Sequence, residues 1–402
     1  MNKAINTTIK LEDGAPVLYV EGAVRSDNAG ELEAAVDAAL SEHPGAGLTL
    51  DFSGLDHISS AGLRVLFTAR QRLDGGLVVR NVSAEVYDVF EITGFVELME
   101  VRRRLREVDV TGCKVIGQGA YGKVYRLDEE TIVKVYNTPD ALAIIRNEQR
   151  LAKLAFLKGV PTAISYDAVR VGGNYGSVFE LINAQTLNDQ LVEAPQDADA
   201  IIRQYTEIIR KVHAVEVEPG VLPDCRETFA GYVDALRDIL PAELAARLQA
   251  LFRAMPEDRH LVHGDFHMKN VMSCGGEPLL IDMDTLSVGD PVFDFAGIYA
   301  AYIAFNEDDP SNSEEFLSIS RGMCDRIWDG VLAQCLRTPD AETRRAALDR
   351  ILIAGSVRFL YIVVALGITI ESLREVRIRH TLERLEALVP KVDELGVAGL
   401  CE

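Results

Sequence analysis

The sequence predicts an α+β chain of two units, a small β/α unit and then a larger bilobal one. Three observations lead there. At 402 residues and 48% hydrophobic content the chain exceeds one domain and can fill more than one core. Short apolar runs alternate with alanine- and leucine-rich segments over roughly the first ninety residues, the mark of a small sheet with helices packed on it. Beyond residue 113 the pattern changes to glycine-punctuated strand pairs around one amphipathic helix.

In chain order, Ile9-Lys10-Leu11 and Val17 to Val20 read as paired strands around Glu12-Asp13-Gly14, and Asn28 to Leu40 as a helix. Leu48 to Leu50 is a strand, Ala61 to Leu73 a helix, Leu77 to Arg80 a strand and Ala84 to Ile92 a final helix. Between the third strand and its helix lie Asp51-Phe52-Ser53-Gly54-Leu55 and His57-Ile58-Ser59-Ser60-Ala61-Gly62-Leu63. Over residues 5–101 this resembles the STAS domain of anti-sigma-factor antagonists, in which a strand and an acidic turn lead into an Asp-Ser-Ser-Gly-Leu helix start. The resemblance implies a protein partner and places Ser60 at the position that family phosphorylates, where helix amides and the macrodipole favour a phosphate. A capping role for Ser59 or Ser60 is the alternative. Arg25 and Ser59 stand where family members with a regulated serine often carry aspartates.

The basic run Val101 to Arg106 reads as a solvated linker, so the first domain is expected over 1–105. Gly117-Gln118-Gly119-Ala120-Tyr121-Gly122-Lys123-Val124 then forms a glycine-rich turn between two strands, whose exposed amides can meet phosphate oxygens. A strand, Thr131 to Tyr136, follows it instead of a helix, which excludes a dinucleotide-binding βα unit. Lys134 within that strand can reach nucleotide phosphates. The helix Asp140 to Leu157 carries Glu148, the candidate partner that holds Lys134. Strands near 164–169 and 177–181 lead into Ile182-Asn183-Ala184-Gln185, a hinge where the backbone of Glu180 to Ile182 would face an adenine.

His263-Gly264-Asp265-Phe266-His267-Met268-Lys269-Asn270, followed by Asp282 after the apolar run Pro278 to Ile281, carries the most chemistry. Phosphoryl transfer needs a carboxylate to orient the acceptor hydroxyl and oxygen ligands for divalent metal. Asp265 suits the first role, Asn270 and Asp282 the second. The order of elements resembles the protein-kinase-like superfamily, and within it the aminoglycoside phosphotransferase and choline kinase branch. His263-Gly264-Asp265, His267 and Gly289-Asp290-Pro291-Val292-Phe293-Asp294-Phe295-Ala296 carry that likeness. The resemblance covers residue 110 onward and implies a strand-rich lobe over 106–184, a helical lobe over 185–402, and ATP between them. It makes Asp265 the catalytic base with Lys134 and Glu148, puts Gly117, Gly119, Gly122, Val124, Lys134, Glu180 and Ile182 at the nucleotide, and Asn270 and Asp282 on Mg2+. Met283 departs from the branch, which often has an aromatic residue there, and the glycine loop is nearer the protein-kinase form.

A net charge of -21 excludes nucleic acid as a partner and suits a cationic substrate. Six cysteines without CxxC spacing read as reduced thiols, and no signal-peptide pattern opens the chain, so the expected location is the cytoplasm. Ile351 to Ile370 approaches the ~20 apolar residues of a membrane span, but Arg358 near its middle makes a buried helix the better reading and a membrane location unexpected. The expectation is an ATP-dependent phosphotransferase acting on a small hydroxyl-bearing acceptor and coupled to an STAS module. Its alternatives are a serine kinase acting on an STAS serine and a pseudokinase scaffold.

Overall fold

The computed structural model describes residues 5–401 except 13, 74–75, 120–121, 139–140, 183, 310 and 338–339. Several expected features therefore lie outside the described residues: the loop tip Ala120-Tyr121, Asn183 of the hinge, Asp140 at the helix start and Asp13 of the first turn. The chain divides into two compact units, residues 1–109 with 169–173, and residues 110–168 with 174–402.

The first unit holds one five-stranded sheet in chain order. Asn6–Glu12 pairs antiparallel with Ala15–Val24, and Leu48–Ile58, Leu77–Val82 and Glu100–Arg103 follow in parallel. Leu18, Val20, Leu50 and Val79 alternate onto a face closed by Leu32, Leu66 and Phe90 of the helices Ala29–Glu42, Ser60–Arg72 and Ala84–Ile92, all fully buried. Each such side chain contributes roughly 1.5–3 kcal/mol of apolar transfer. Arg80 adds a polar pin, reaching Asp51 and Glu12 at 2.8 Å each, while Asn81 donates to Asp51 at 2.7 Å.

Two expectations need correction here. The stretch after Leu50 is not a turn but the continuation of an eleven-residue strand, because Phe52, Leu55 and Ile58 are buried and a bulge in the pairing to Ala15–Val24 lets the strand run on. The basic run is not a linker throughout, since Glu100–Arg103 is the edge strand of the sheet. Charged side chains on an edge strand discourage further pairing, so a run read from charge alone as solvated can still be a strand.

In the second unit, four strands of one sheet lie in the order Asn174–Glu180, Thr131–Tyr136, Gly122–Arg126 and Val115–Gly119. The helix Ala141–Leu157 packs on it through Ile145, Glu148, Leu151 and Ala155. Helices dominate after Thr186, which starts Leu187–Glu193 with a reciprocal capping box to Asp189. The long apolar segment forms Ala341–Val364, with Ile351, Ile353, Val357 and Leu360 fully buried. Gly355 lets it lie close against Tyr299, where a Cβ would come within 2.4 Å of the ring. No helix among the described residues is long and apolar enough to cross a membrane.

Candidate active site

The glycine loop is a hairpin in which Gly117 lies opposite Val124 and Gly119 opposite Gly122. Gly122 is glycine for a packing reason, since a Cβ there would stand 1.9 Å from the Val135 carbonyl oxygen of the next strand. Gly117 is less constrained, its virtual Cβ lying 3.5 Å from Val124. Lys134 sits in that next strand between Val124 and Ser177. Its ammonium forms an ion pair with Asp282 and lies 3.6 Å from Glu148 Oε1. Glu148 is nearly fully buried on its helix, and the Tyr136 hydroxyl donates to its other oxygen. Burial works against the charge on Lys134, but the carboxylates of Asp282 and Glu148 outweigh it and hold the ammonium above its usual range. Lys134 and Glu148 thus stand within ion-pair distance, joined by Asp282 from 148 residues along the chain.

Asp282 follows the strand Glu277–Leu280 and takes the left-handed conformation, φ 57° and ψ 66°. A non-glycine residue there carries backbone strain of about 1–3 kcal/mol, which concentrates at functional positions. The Ile281 amide donates to the Asn270 carbonyl at 3.0 Å, tying the two candidate metal ligands into one piece of backbone. Asn270, buried, donates from Nδ2 to the Asp265 carbonyl at 3.0 Å and to its carboxylate at 3.2 Å. Among the described residues its amide oxygen takes no hydrogen bond. One carboxylate and one amide oxygen form a hard-oxygen donor set that fits Mg2+ completed by phosphate and water oxygens.

Asp265 itself stands on a loop braced from several sides. Gly264 before it has φ 85°, and a Cβ would lie 2.8 Å from the Thr285 carbonyl oxygen, so neither backbone nor space admits the arginine that protein kinases commonly place here. His263 is fully buried; its Nδ1 accepts from the Asp265 amide and its Nε2 lies 3.3 Å from the Ile281 carbonyl, an arrangement that needs the neutral ring with the proton on Nε2. Burial lowers its basicity in agreement. The Tyr205 hydroxyl donates to the Phe266 carbonyl, and the Tyr302 hydroxyl accepts from the Met268 amide, each at 2.8 Å.

Two residues escaped the sequence reading. Asp294, fully buried, accepts from the His263 amide at 3.1 Å, the Gly264 amide at 2.7 Å and the His213 ring at 2.8 Å. It was visible only as a letter of the Gly289 to Ala296 motif, with nothing to say what it held. Arg358 lies 3.7 Å from Asp265 Oδ1, while His267 Nε2 lies 3.5 Å from Oδ2. Its signal was a charge in an apolar helix, read as evidence against a membrane span and not as part of a site. Burial would raise the Asp265 carboxyl, but His267 first, then Arg358, hold it well below the usual range, so it is a carboxylate at neutral pH.

Glu180 ends its strand, the Leu181 amide donates to the Glu130 carbonyl, and the Ile182 carbonyl accepts from Ala184. None of these bonds joins the expected hinge to Lys134 or Asp265. In the first unit, Ser59 caps the helix Ser60–Arg72 by accepting from the Gly62 amide at 3.4 Å, and Ser60 is exposed as its first residue.

The phosphotransferase enzyme family matches residues 112–318, and an STAS domain model, of the Mlab type, matches residues 7–100. The candidate anti-sigma factor antagonist BtrV of Bordetella bronchiseptica is 41% identical over 92 residues, 22% of this chain and 78% of that protein. Viomycin phosphotransferase of Streptomyces vinaceus is 30% identical over 142 residues, 31% of this chain and 50% of its own, so the chain spans about half of that relative's length. The crystal structure of ADP-bound aminoglycoside phosphotransferase APH(2'')-Ib aligns over 75% of this chain and 97% of its own, with 14% identity and a TM-score of 0.45. With the phosphotransferase model matching half of its length and an STAS model matching the segment before it, this chain belongs to the phosphotransferase enzyme family and carries an STAS domain at its N-terminal end.

Proposed function

We propose that the protein transfers the γ-phosphoryl group of ATP to the hydroxyl of a small molecule, at the Asp265 site. The observation that carries this reading is the meeting of Lys134, Glu148 and Asp282 on one side with Asp265 and Asn270 on the other, joined through the Ile281 amide. The lobes 106–184 and 185–402 would hold the nucleotide between them, with Gly117, Gly119, Gly122 and Val124 over the phosphates and the backbone of Glu180 and Ile182 at the base. Lys134, fixed by Glu148, binds phosphate oxygens. Asn270 and Asp282 would hold Mg2+, which when bound offsets phosphate charge. The Asp265 carboxylate accepts a hydrogen bond from the acceptor hydroxyl and aims its oxygen at the γ-phosphorus. The new O–P bond forms as the bond to the β,γ-bridging oxygen breaks, the hydroxyl proton passes to Asp265, and ADP leaves.

Asp265→Asn tests this directly. We expect at least a hundredfold loss of turnover with ATP affinity within about threefold of wild type, measured by ADP release and nucleotide titration. Turnover near wild type would refute the assignment.

A second reading, serine phosphorylation of an STAS unit, has one observation in its favour. Ser60 is exposed, and the cap is supplied by Ser59. Mapping phosphoserine after incubation with labelled ATP decides it, and an unlabelled Ser60 counts against it.

A further inference from the structure

Arg358 stands on the helix Ala341–Val364, outside the segment that the phosphotransferase family covers. Its side chain is only 14% exposed, yet among the described residues the guanidinium has no hydrogen bond. Nε is buried without a partner, and the nearest carboxylate oxygen, Asp265 Oδ1, lies at 3.7 Å, beyond hydrogen-bond reach. A guanidinium carries five donors, and leaving them unmet in a protein interior is costly.

Arg358 lines a cavity of about 220 Å³ together with Arg150, Asn147, Phe229, Tyr232 and Gly264, the residue before the base. Arg150 adds a second positive charge at the wall, oriented by Asn147 at 3.1 Å and the Val221 carbonyl at 3.3 Å. Asp284 is the acidic residue of this lining, and it lies in the field of Lys134. The cavity thus departs from the chain's overall charge of -21. A polyamine drawn by that net charge would meet two arginines here. The planar fork of arginine instead matches carboxylate or phosphate oxygens in pairs. The volume is below the about 300–1,000 Å³ of sites for drug-sized ligands, which favours a compact molecule.

We propose that the phosphoryl acceptor is a compact hydroxyl-bearing oxyanion, whose carboxylate or phosphate group is held by Arg358 in this cavity while its hydroxyl reaches Asp265. The proposal rests on Asp265 as the base. Because Arg358 and Asp265 are 3.7 Å apart, the anionic group and the reacting hydroxyl must be separated by only a few bonds. Among simple probes, 2- and 3-hydroxy acids and glycerol phosphates meet that condition.

The test uses the full chain with glycerate, glyceramide, glycerol 3-phosphate, glycerol and ethanolamine. Each is measured for ATP-dependent phosphorylation and, without ATP, for the shift it produces in melting temperature. Glycerate or glycerol 3-phosphate should raise the melting temperature and be phosphorylated with at least tenfold higher kcat/KM than its neutral counterpart. Which of the two does so separates a carboxylate acceptor from a phosphate one. Arg358→Met should raise the KM for that anion at least tenfold while lowering kcat less, and Arg358→Lys, which keeps the charge without the fork, should fall between. Equal or better performance by the neutral or cationic probes overturns the proposal, as does the absence of any anion-dependent stabilisation. A fall in kcat with KM unchanged in Arg358→Met overturns it too, by assigning the arginine to the transferring phosphoryl group. Asp265→Asn keeps the two levels distinct: if it abolishes ATP turnover while no oxyanion is preferred, the phosphotransferase site stands and only the acceptor class falls.

Discussion

Replacing Asp294 by alanine removes a carboxylate that holds three donors at once: the His263 amide at 3.1 Å, the Gly264 amide at 2.7 Å and the His213 ring at 2.8 Å. All of this happens where no water reaches, since Asp294 is fully buried. An orphaned buried donor costs about 1–3 kcal/mol, and breaking a buried charged network by deleting one partner costs about 3–5 kcal/mol. Three donors would sum to more, but water can enter the space that the side chain vacates, so we expect about 3–5 kcal/mol. For a unit of this size that corresponds to a melting shift of roughly 5–8 °C. Turnover should fall with it, because Gly264 precedes Asp265 and a displacement of about 1 Å at a reacting group can cost on the order of a hundredfold. The assay is a thermal melt of the full chain, following the transition that ATP shifts, together with the ATP turnover rate. A variant melting within about 2 °C of wild type with turnover retained would refute the reasoning. The same residue sets an acid limit. Burial works to raise its carboxyl, but the His213 hydrogen bond and charge, with the Gly264 amide, hold it below its usual range. A depressed carboxyl stabilises the fold above its unfolded value of about 3.9, and that stabilisation is lost as pH falls from there through the folded value. Wild type should therefore lose stability below about pH 4 more steeply than Asp294→Asn.

Gly122→Ala should destabilise the glycine hairpin by more than about 1 kcal/mol, since its methyl would meet the Val135 carbonyl at 1.9 Å; it should also raise the KM for ATP, and a melting curve with an unchanged KM would contradict the packing argument. In the STAS unit, Ser59→Ala removes a helix cap and should cost about 0.5–2 kcal/mol in chemical denaturation. Ser60→Ala should stay within about 0.5 kcal/mol, and an equal loss in both would reverse the assignment of the cap.

The local chemistry of this chain was open to reading residue by residue. Alternation of apolar runs located the strands and helices of the first unit, and the continuation of Leu48–Ile58 escaped because Gly54 and Asp56 interrupt the pattern that Phe52, Leu55 and Ile58 complete once the bulge is known. The lysine–glutamate pair was accessible through order along the chain, although neither residue is distinctive by itself. Asp282 as a direct partner of Lys134 was not, because the contact crosses 148 residues. Asp294 and Arg358 differ from these in kind. Their roles lie in which backbone amides or oxygens stand around them, and no spacing rule encodes that.

By itself, then, the sequence determined the two units, the strand that carries Lys134, and the loop that carries Asp265 and Asn270, because period and turn chemistry are properties of neighbours in the chain. Only the tertiary structure decided that Asp294 anchors the loop, that Gly264 excludes an arginine, and that a helix from the far end of the chain sets Arg358 3.7 Å from the base. A buried charge draws its meaning from its partners, and those partners are assembled by packing over long separations in sequence.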